Sequence, residues 1–221
     1  MRSPTYYLLP FLLLSFTRAC TPPTNPQSPL ILGTDGPADA ATAGYALNHL
    51  GLIISNATAT LHFYGKILGM RHMFTFHASP SYSIIYMSYS HGGKNGTAYQ
   101  TGSELYSQKT NSEGLIEFIY PRNASWRFEA STARANTFSH VGIVVPDVRK
   151  AEARMREFGV EILKGVGAFP GGGDPAAGVF GLGGDEGAAE EALEGIWMIG
   201  FEDFLIVKDP DGNAVEIQQQ V

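Results

Sequence analysis

The sequence predicts an α+β fold of two tandem βαβββ modules whose mixed sheets curve into a cup, on three observations. His49-Leu50-Gly51-Leu52-Ile53-Ile54 returns as His140-Val141-Gly142-Ile143-Val144-Val145, 91 residues later. Seven residues after each histidine stands a residue suited to cap a helix, Asn56 and Asp147. Each copy then ends in an apolar strand-like run with a glutamate inside it, Glu117 and Glu216.

Before the first copy come segments of another kind. Arg2, an almost wholly apolar Tyr6–Phe16 and the small residue Ala19 have the layout of a secretory signal peptide, residues 1–19. Residues 20–44 are rich in Pro, Thr and Gly without hydrophobic period and read as a flexible linker. The expected product is therefore secreted. Three Asn-x-Ser/Thr triplets, at Asn56, Asn95 and Asn123, are candidate glycosylation sites that fit this route. The single cysteine, Cys20, lies at the expected cleavage point, so the folded part is held by packing and not by disulfides.

Composition narrows the partners. The formal net charge is −6 over 221 residues, the pI is near 5.5 and no basic run occurs, which gives no footprint for nucleic acid or an anionic membrane. Those partners are set aside, and a homodimer stays open, since two βαβββ modules can close a site within one chain or exchange across a dimer interface.

The first module spans 45–135 and the second 136–221. In the first, Leu61, Tyr64 and Leu68 share a helical face and Gly69 ends it; in the second, Ala151, Met155 and Phe158 do so before Gly159. Strands are expected over 81–90 and 114–120, then over 204–208 and 214–218 around the turn Asp209-Pro210-Asp211-Gly212. Residues 165–195, loaded with Gly, Ala and acidic side chains, read as an insertion loop in the second module, mobile or disordered.

Alternation along a strand sets His49 with Gly51, His140 with Gly142, and turns Glu117 and Glu216 away from their apolar neighbours. A lone histidine in an apolar strand is ordinarily a hydrogen-bonded core or edge residue, and a lone glutamate on an alternating strand ordinarily faces water. Four such residues on matching strands of a duplicated unit are different. Carboxylates gathered in a concave site need a compensating cation. His49, Glu117, His140 and Glu216 are thus expected to bind one divalent metal, and imidazole with carboxylate suits Zn2+, Ni2+, Co2+ or Fe2+. His62, His72, His77 and His91 have no counterpart in the second copy and are not expected to be ligands.

Four segments carry a family resemblance: Leu47–Gly51, Phe63–Met70, Phe138–Val148 and Lys208–Ile217. They resemble glyoxalase I, the lactoylglutathione lyase of the vicinal oxygen chelate superfamily, which also holds bleomycin-resistance proteins and dioxygenases. The resemblance covers about residues 45–150 and 196–220. It implies one bound divalent metal, Zn2+ or Ni2+, held by His49, Glu117, His140 and Glu216. It also implies conversion of a 2-oxoaldehyde–thiol hemithioacetal to a 2-hydroxyacyl thioester through an enediolate. Glu216 would be the principal base, with Glu117 serving the opposite face. Where the family places residues that hold glutathione, this chain has Ile53, Pro121 and Asn136. A substrate other than the glutathione adduct, another reaction of the superfamily (an epimerase or ring-cleaving dioxygenase), and a non-catalytic small-molecule-binding module are the alternatives.

Overall fold

The computed structural model describes residues 32–90, 100–122, 129–133, 137–182, 186–197 and 200–219. Asn95, Asn123, Asn136 and the expected signal peptide lie outside the described residues. Two compact units form, residues 1–45 and 46–221. In the first, the described residues are exposed and hold a single 3-10 turn, Ala40–Thr42, capped by Asp39, which accepts from the Ala41 N–H at 2.9 Å.

The second unit contains both modules. The first runs β1 (His49–Ile53), α1 (Ala57–Thr60, continuing as a π-helical segment, Leu61–Ile67), β2 (Arg71–Ser79), β3 (Tyr82–Ser88), α2 (Gly102–Ser107) and β4 (Leu115–Pro121). Then follow β5 (His140–Val145), α3 (Val148–Glu157), β6 (Ile162–Lys164), α4 (Pro175–Val179), α5 (Glu186–Trp197), β7 (Leu205–Lys208) and β8 (Ala214–Gln219). They build two four-stranded mixed sheets of matching order, β1-β4-β3-β2 and β5-β8-β7-β6. In each, the histidine strand pairs in parallel with the glutamate strand.

The expected caps form. Asn56 accepts from the Ala59 N–H at 3.0 Å and Asp147 from the Lys150 N–H at 3.0 Å. Gly69 and Gly159 close the helices at positive φ, +83° and +67°. The two copies differ in length here: Asp147 to Gly159 is twelve residues, Asn56 to Gly69 thirteen. The extra residue is absorbed as the π-helical segment, in which Leu68 N–H reaches back five residues to Phe63 O. The closing bond Met70 N–H to Tyr64 O is likewise one residue wider than Val160 N–H to Met155 O in the second copy. The wider turn moves the buried face to Phe63, Tyr64 and Ile67, whereas regular helical spacing points to Leu61, Tyr64 and Leu68, of which the first and last are only half-buried.

A shared core lies behind both sheets, where Tyr64, Phe118, Met155, Leu205 and Ile217 are almost fully buried. Each such side chain contributes roughly 1.5–3 kcal/mol of transfer free energy. Polar ties cross between modules. Tyr64 Oη donates to Asp209 Oδ2 at 3.0 Å, and Arg154 donates to the carbonyls of Ile67 and Lys66 at 2.7 Å each. The Ser55 N–H donates to Asp211 Oδ1 at 2.9 Å.

Residues 165–195, expected as a long insertion loop, carry two helices, α4 and the greater part of α5. Their Gly content hides a helical run, Glu186–Trp197, with Ala189 and Leu193 four residues apart and both buried. Gly172 permits the close approach, since a Cβ there would collide with the Glu186 carbonyl oxygen. With Phe201, these helices pack on Ile206 and Ala214, the Glu216 face of the second sheet. In the first module α2 does the same job: Leu105 packs with Met73, Tyr86 and Leu115 on the Glu117 face.

The insertion is pinned by Lys164, 2% exposed, which donates to the carbonyls of Gly165 (3.2 Å), Glu202 (3.2 Å) and Phe204 (2.7 Å) beneath the Trp197 and Phe201 rings. Burial pulls its ammonium down to about 8 from 10.5, against the opposing pull of Asp203, Glu152, Glu202 and Glu216. The folded chain then binds fewer protons here than the unfolded chain between those two values, so stability rises with pH across that window. Urea unfolding at pH 7.5, 8.5 and 9.5 is expected to show this rise in the parent chain and to lose it in Lys164→Met. Parallel pH profiles for the two would contradict the assignment.

Candidate metal and catalytic site

The parallel registers place the four expected ligands. Gly51 pairs with Glu117 and Gly142 with Glu216, so each carboxylate emerges beside a residue without a side chain, two positions beyond the histidine on the same face. A Cβ at Gly51 would sit 3.7 Å from Glu117 Oε2. The histidine can therefore reach diagonally to its glutamate: His49 Nε2 to Glu117 Oε2 is 3.4 Å and His140 Nε2 to Glu216 Oε2 is 3.7 Å.

The expected residues thus come together two by two. The two histidines line one cavity of about 390 Å3 between the β1 and β5 edges, with Leu50, Met70, Tyr89 and Val144. Among the described residues, no group of three or more His, Cys, Asp or Glu side chains is close enough to hold one metal ion. A larger cavity, about 830 Å3, lies on the helix side by Phe63, Phe158 and Asp209, away from both pairs.

Each pair is held by neighbours that the sequence pattern did not single out. His49 Nδ1 is 2.9 Å from Asn48 Oδ1, and His140 Nδ1 is 2.7 Å from Ser139 Oγ. Tyr86, the cross-strand partner of Glu117 on β3, shares its face of the sheet and feels its carboxylate. Burial first, then the neighbouring Glu117 carboxylate, push the Tyr86 phenol up to about 12, so it keeps its proton at neutral pH. Tyr86 also meets His49 edge-on (5.5 Å), stacks on Phe74 (5.0 Å) and carries Lys109 Nζ over its ring at 4.3 Å. Ile206 takes the Tyr86 position in the second module, and Glu216 instead accepts a short hydrogen bond from Gln218 Nε2. Phe180 of the insertion covers His140, its ring 5.5 Å from the imidazole. Only Tyr86 had a usable sequence signal, since it stands in the strand expected at 81–90.

Of the other expected features, Ile53 is 44% exposed on the His49 face, and Asn56 is exposed. Arg122 follows Pro121 and lies on the opposite face of the sheet, with Ser83 and His77, where its guanidinium donates to Ser83 Oγ at 3.2 Å and Pro80 O at 3.4 Å. That arginine is engaged away from the His49–Glu117 pair.

Residues 46–217 match the family model of the Glyoxalase/Bleomycin resistance protein/Dioxygenase superfamily, and the chain belongs to that superfamily. It is similar to the trypanothione-dependent glyoxalase I of Leishmania major, with 18% identity over 79% of this chain and 86% of that one, TM-score 0.49. It is also similar to a glyoxalase I variant from Zea mays (15% identity, 79% of this chain, 44% of that one, TM-score 0.48). A third likeness is to a glyoxylase/bleomycin resistance protein/dioxygenase domain from Frankia sp. EAN1pec (11%, 80%, 98%, 0.47). At these identities and scores the three structures carry no argument about reaction or substrate. Membership rests on the family model, and the superfamily's own name spans several activities.

Tyr86→Phe keeps the ring stack on Phe74 and removes only the phenol hydroxyl beside Glu117. It is expected to lower stability in urea unfolding at neutral pH, by about 0.5–1.5 kcal/mol, the net worth of an ordinary polar contact, with the far-UV circular dichroism unchanged. A loss near zero would show that Glu117 does not depend on this hydroxyl.

Proposed function

We propose that this protein is a metal-dependent lyase or isomerase of the glyoxalase I type, converting a 2-oxoaldehyde–thiol hemithioacetal to a 2-hydroxyacyl thioester. One observation carries the reading: a His–Glu pair built twice, in the same parallel register, at 3.4 and 3.7 Å. Imidazole nitrogen beside carboxylate oxygen is a donor set that fits Zn2+ or Ni2+, so His49, Glu117, His140 and Glu216 would hold the ion. When bound, such an ion supplies a Lewis acid for the two substrate oxygens.

The chain's own groups account for the remaining chemistry. Glu216, 5% exposed and walled by the insertion, is the base that takes the C1 proton and returns it at C2. Gln218 holds that carboxylate from the same strand. Glu117, backed by Tyr86, serves the opposite face of the substrate. Phe180 and Tyr86 are the aromatic walls that keep water from the proton in transit.

Because the ligands pair two by two within a chain, the reading extends to a homodimer in which the His49–Glu117 pair of one copy meets the His140–Glu216 pair of another. Support comes from the strand order, which leaves β1 and β5 as sheet edges, and from Leu47, Ile53 and Val144, 85%, 44% and 57% exposed along them. The apolar Ile53, where the family places a residue that holds glutathione, favours a thiol partner other than glutathione. Export through residues 1–19, with sugar at Asn56, Asn95 and Asn123, is part of the same proposal.

The test is metal content and turnover of the purified mature protein beside Glu216→Gln, using methylglyoxal with glutathione and with smaller thiols. We expect about one divalent ion per chain in the parent and a turnover about 10²–10⁴-fold lower in the variant, the usual worth of a general base. Metal without turnover on any thiol would replace the lyase with another reaction of the superfamily. A parent protein that neither carries nor takes up metal would leave a binding module.

A further inference from the structure

We infer that Asn48 and Ser139 are positioning residues that place a proton on Nδ1 of His49 and of His140, so that Nε2 is the nitrogen each ring turns toward its glutamate and can offer to a cation. The inference deepens the metal-site reading and rests on it for its purpose, while its geometry stands independently.

The orientation of the Asn48 amide is fixed from behind. Its Nδ2 lies 2.7 Å from the Lys109 carbonyl oxygen and 2.7 Å from the Ser112 carbonyl oxygen, so both amide hydrogens are used. A flipped amide would set its oxygen against two other oxygens at hydrogen-bond distance with no proton to share. The atom facing His49 Nδ1 at 2.9 Å is therefore Oδ1, an acceptor only, and the proton in that contact belongs to the ring. Ser139 reaches the same result by other means. Its Oγ has one hydrogen, and the Val179 carbonyl at 2.7 Å, an acceptor, takes it. Oγ then accepts from His140 Nδ1 at 2.7 Å.

The anchors are unrelated: a crossover turn after α2 in the first module and the end of α4 in the second. Different side chains held by different segments impose one protonation pattern on two equivalent histidines. A plain histidine–carboxylate hydrogen bond needs the opposite neutral tautomer, with the proton on Nε2, and requires nothing at Nδ1. Here a neutral ring would face its carboxylate with a lone pair, which is unfavourable until a cation lies between them.

Long-range 1H–15N NMR of the imidazoles in the full chain, metal-free and with Zn2+, at pH 8.5, tests this directly. We expect Nδ1 protonated on both rings in the parent and Zn2+ to perturb Nε2 while Nδ1 keeps its proton. Asn48→Ala and Ser139→Ala should lose about 10–100-fold in Zn2+ affinity, the usual worth of such an orienting partner, whereas Ser139→Thr, which keeps the hydroxyl, should stay within about threefold of the parent. A bare Nδ1 on either ring of the parent, ligation through Nδ1, or alanine variants that bind Zn2+ like the parent would overturn the assignment. Protonated Nδ1 in a parent chain that binds no Zn2+ would uphold the positioning role and remove the metal-site reading alone.

Discussion

Parallel pairing in a fixed register is the constraint from which the rest of this molecule follows. In a parallel pair, opposed residues point to the same face, so setting Glu117 opposite Gly51 and Glu216 opposite Gly142 brings each carboxylate to the side of the sheet that bears the histidine. Glycine at that place leaves the diagonal open. A slip by one residue would turn Glu117 or Glu216 into the apolar core and bring Phe118 or Ile217 out to the histidine face, which the almost complete burial of those two side chains forbids. The core behind the sheets thus fixes the geometry in front of them.

A common backbone plan is furnished differently in the two halves. The row Gly51, Glu117, Tyr86, Phe74 crosses the first sheet, and the row Gly142, Glu216, Ile206, Lys164 crosses the second. The first glutamate is backed by a phenol and a stacked aromatic pair, the second by an aliphatic residue under a helical cover. Those covers come from different connections of the module, α2 between β3 and β4, α4 with α5 between β6 and β7. The metal-binding reading needs the pairs to be alike, and the proton-transfer reading needs the carboxylates to differ; the conserved register and the divergent rows supply one each.

Much of this was legible in the sequence because it depends on local rules. The histidine strands, the caps at Asn56 and Asp147 and the stops at Gly69 and Gly159 declare themselves within a few residues. Strands β2 and β6 do not: β2 mixes exposed and buried positions around two register irregularities, and β6 has only three residues. The π-helical segment was hidden because a one-residue excess shows only when the two copies are counted against each other. The roles of Asn48, Ser139 and Phe180 were hidden for another reason. Their partners stand 40 or more residues away, except the ring beside them, and one polar residue before a histidine has no pattern of its own.

The central claim is that two separately built His–Glu pairs meet to hold one ion, each pair contributed by a different copy. Mixing tests it most directly. One chain carries His49→Ala with Glu117→Ala and the other His140→Ala with Glu216→Ala, and the two are combined, exchanged through mild denaturant and analysed for bound Zn2+. The account predicts that neither chain alone binds the ion and that the mixture recovers about one site per heterodimer, because only there does an intact first pair face an intact second pair. Loss of binding in both chains with no recovery in verified heterodimers would place the site within one chain and contradict the shared arrangement.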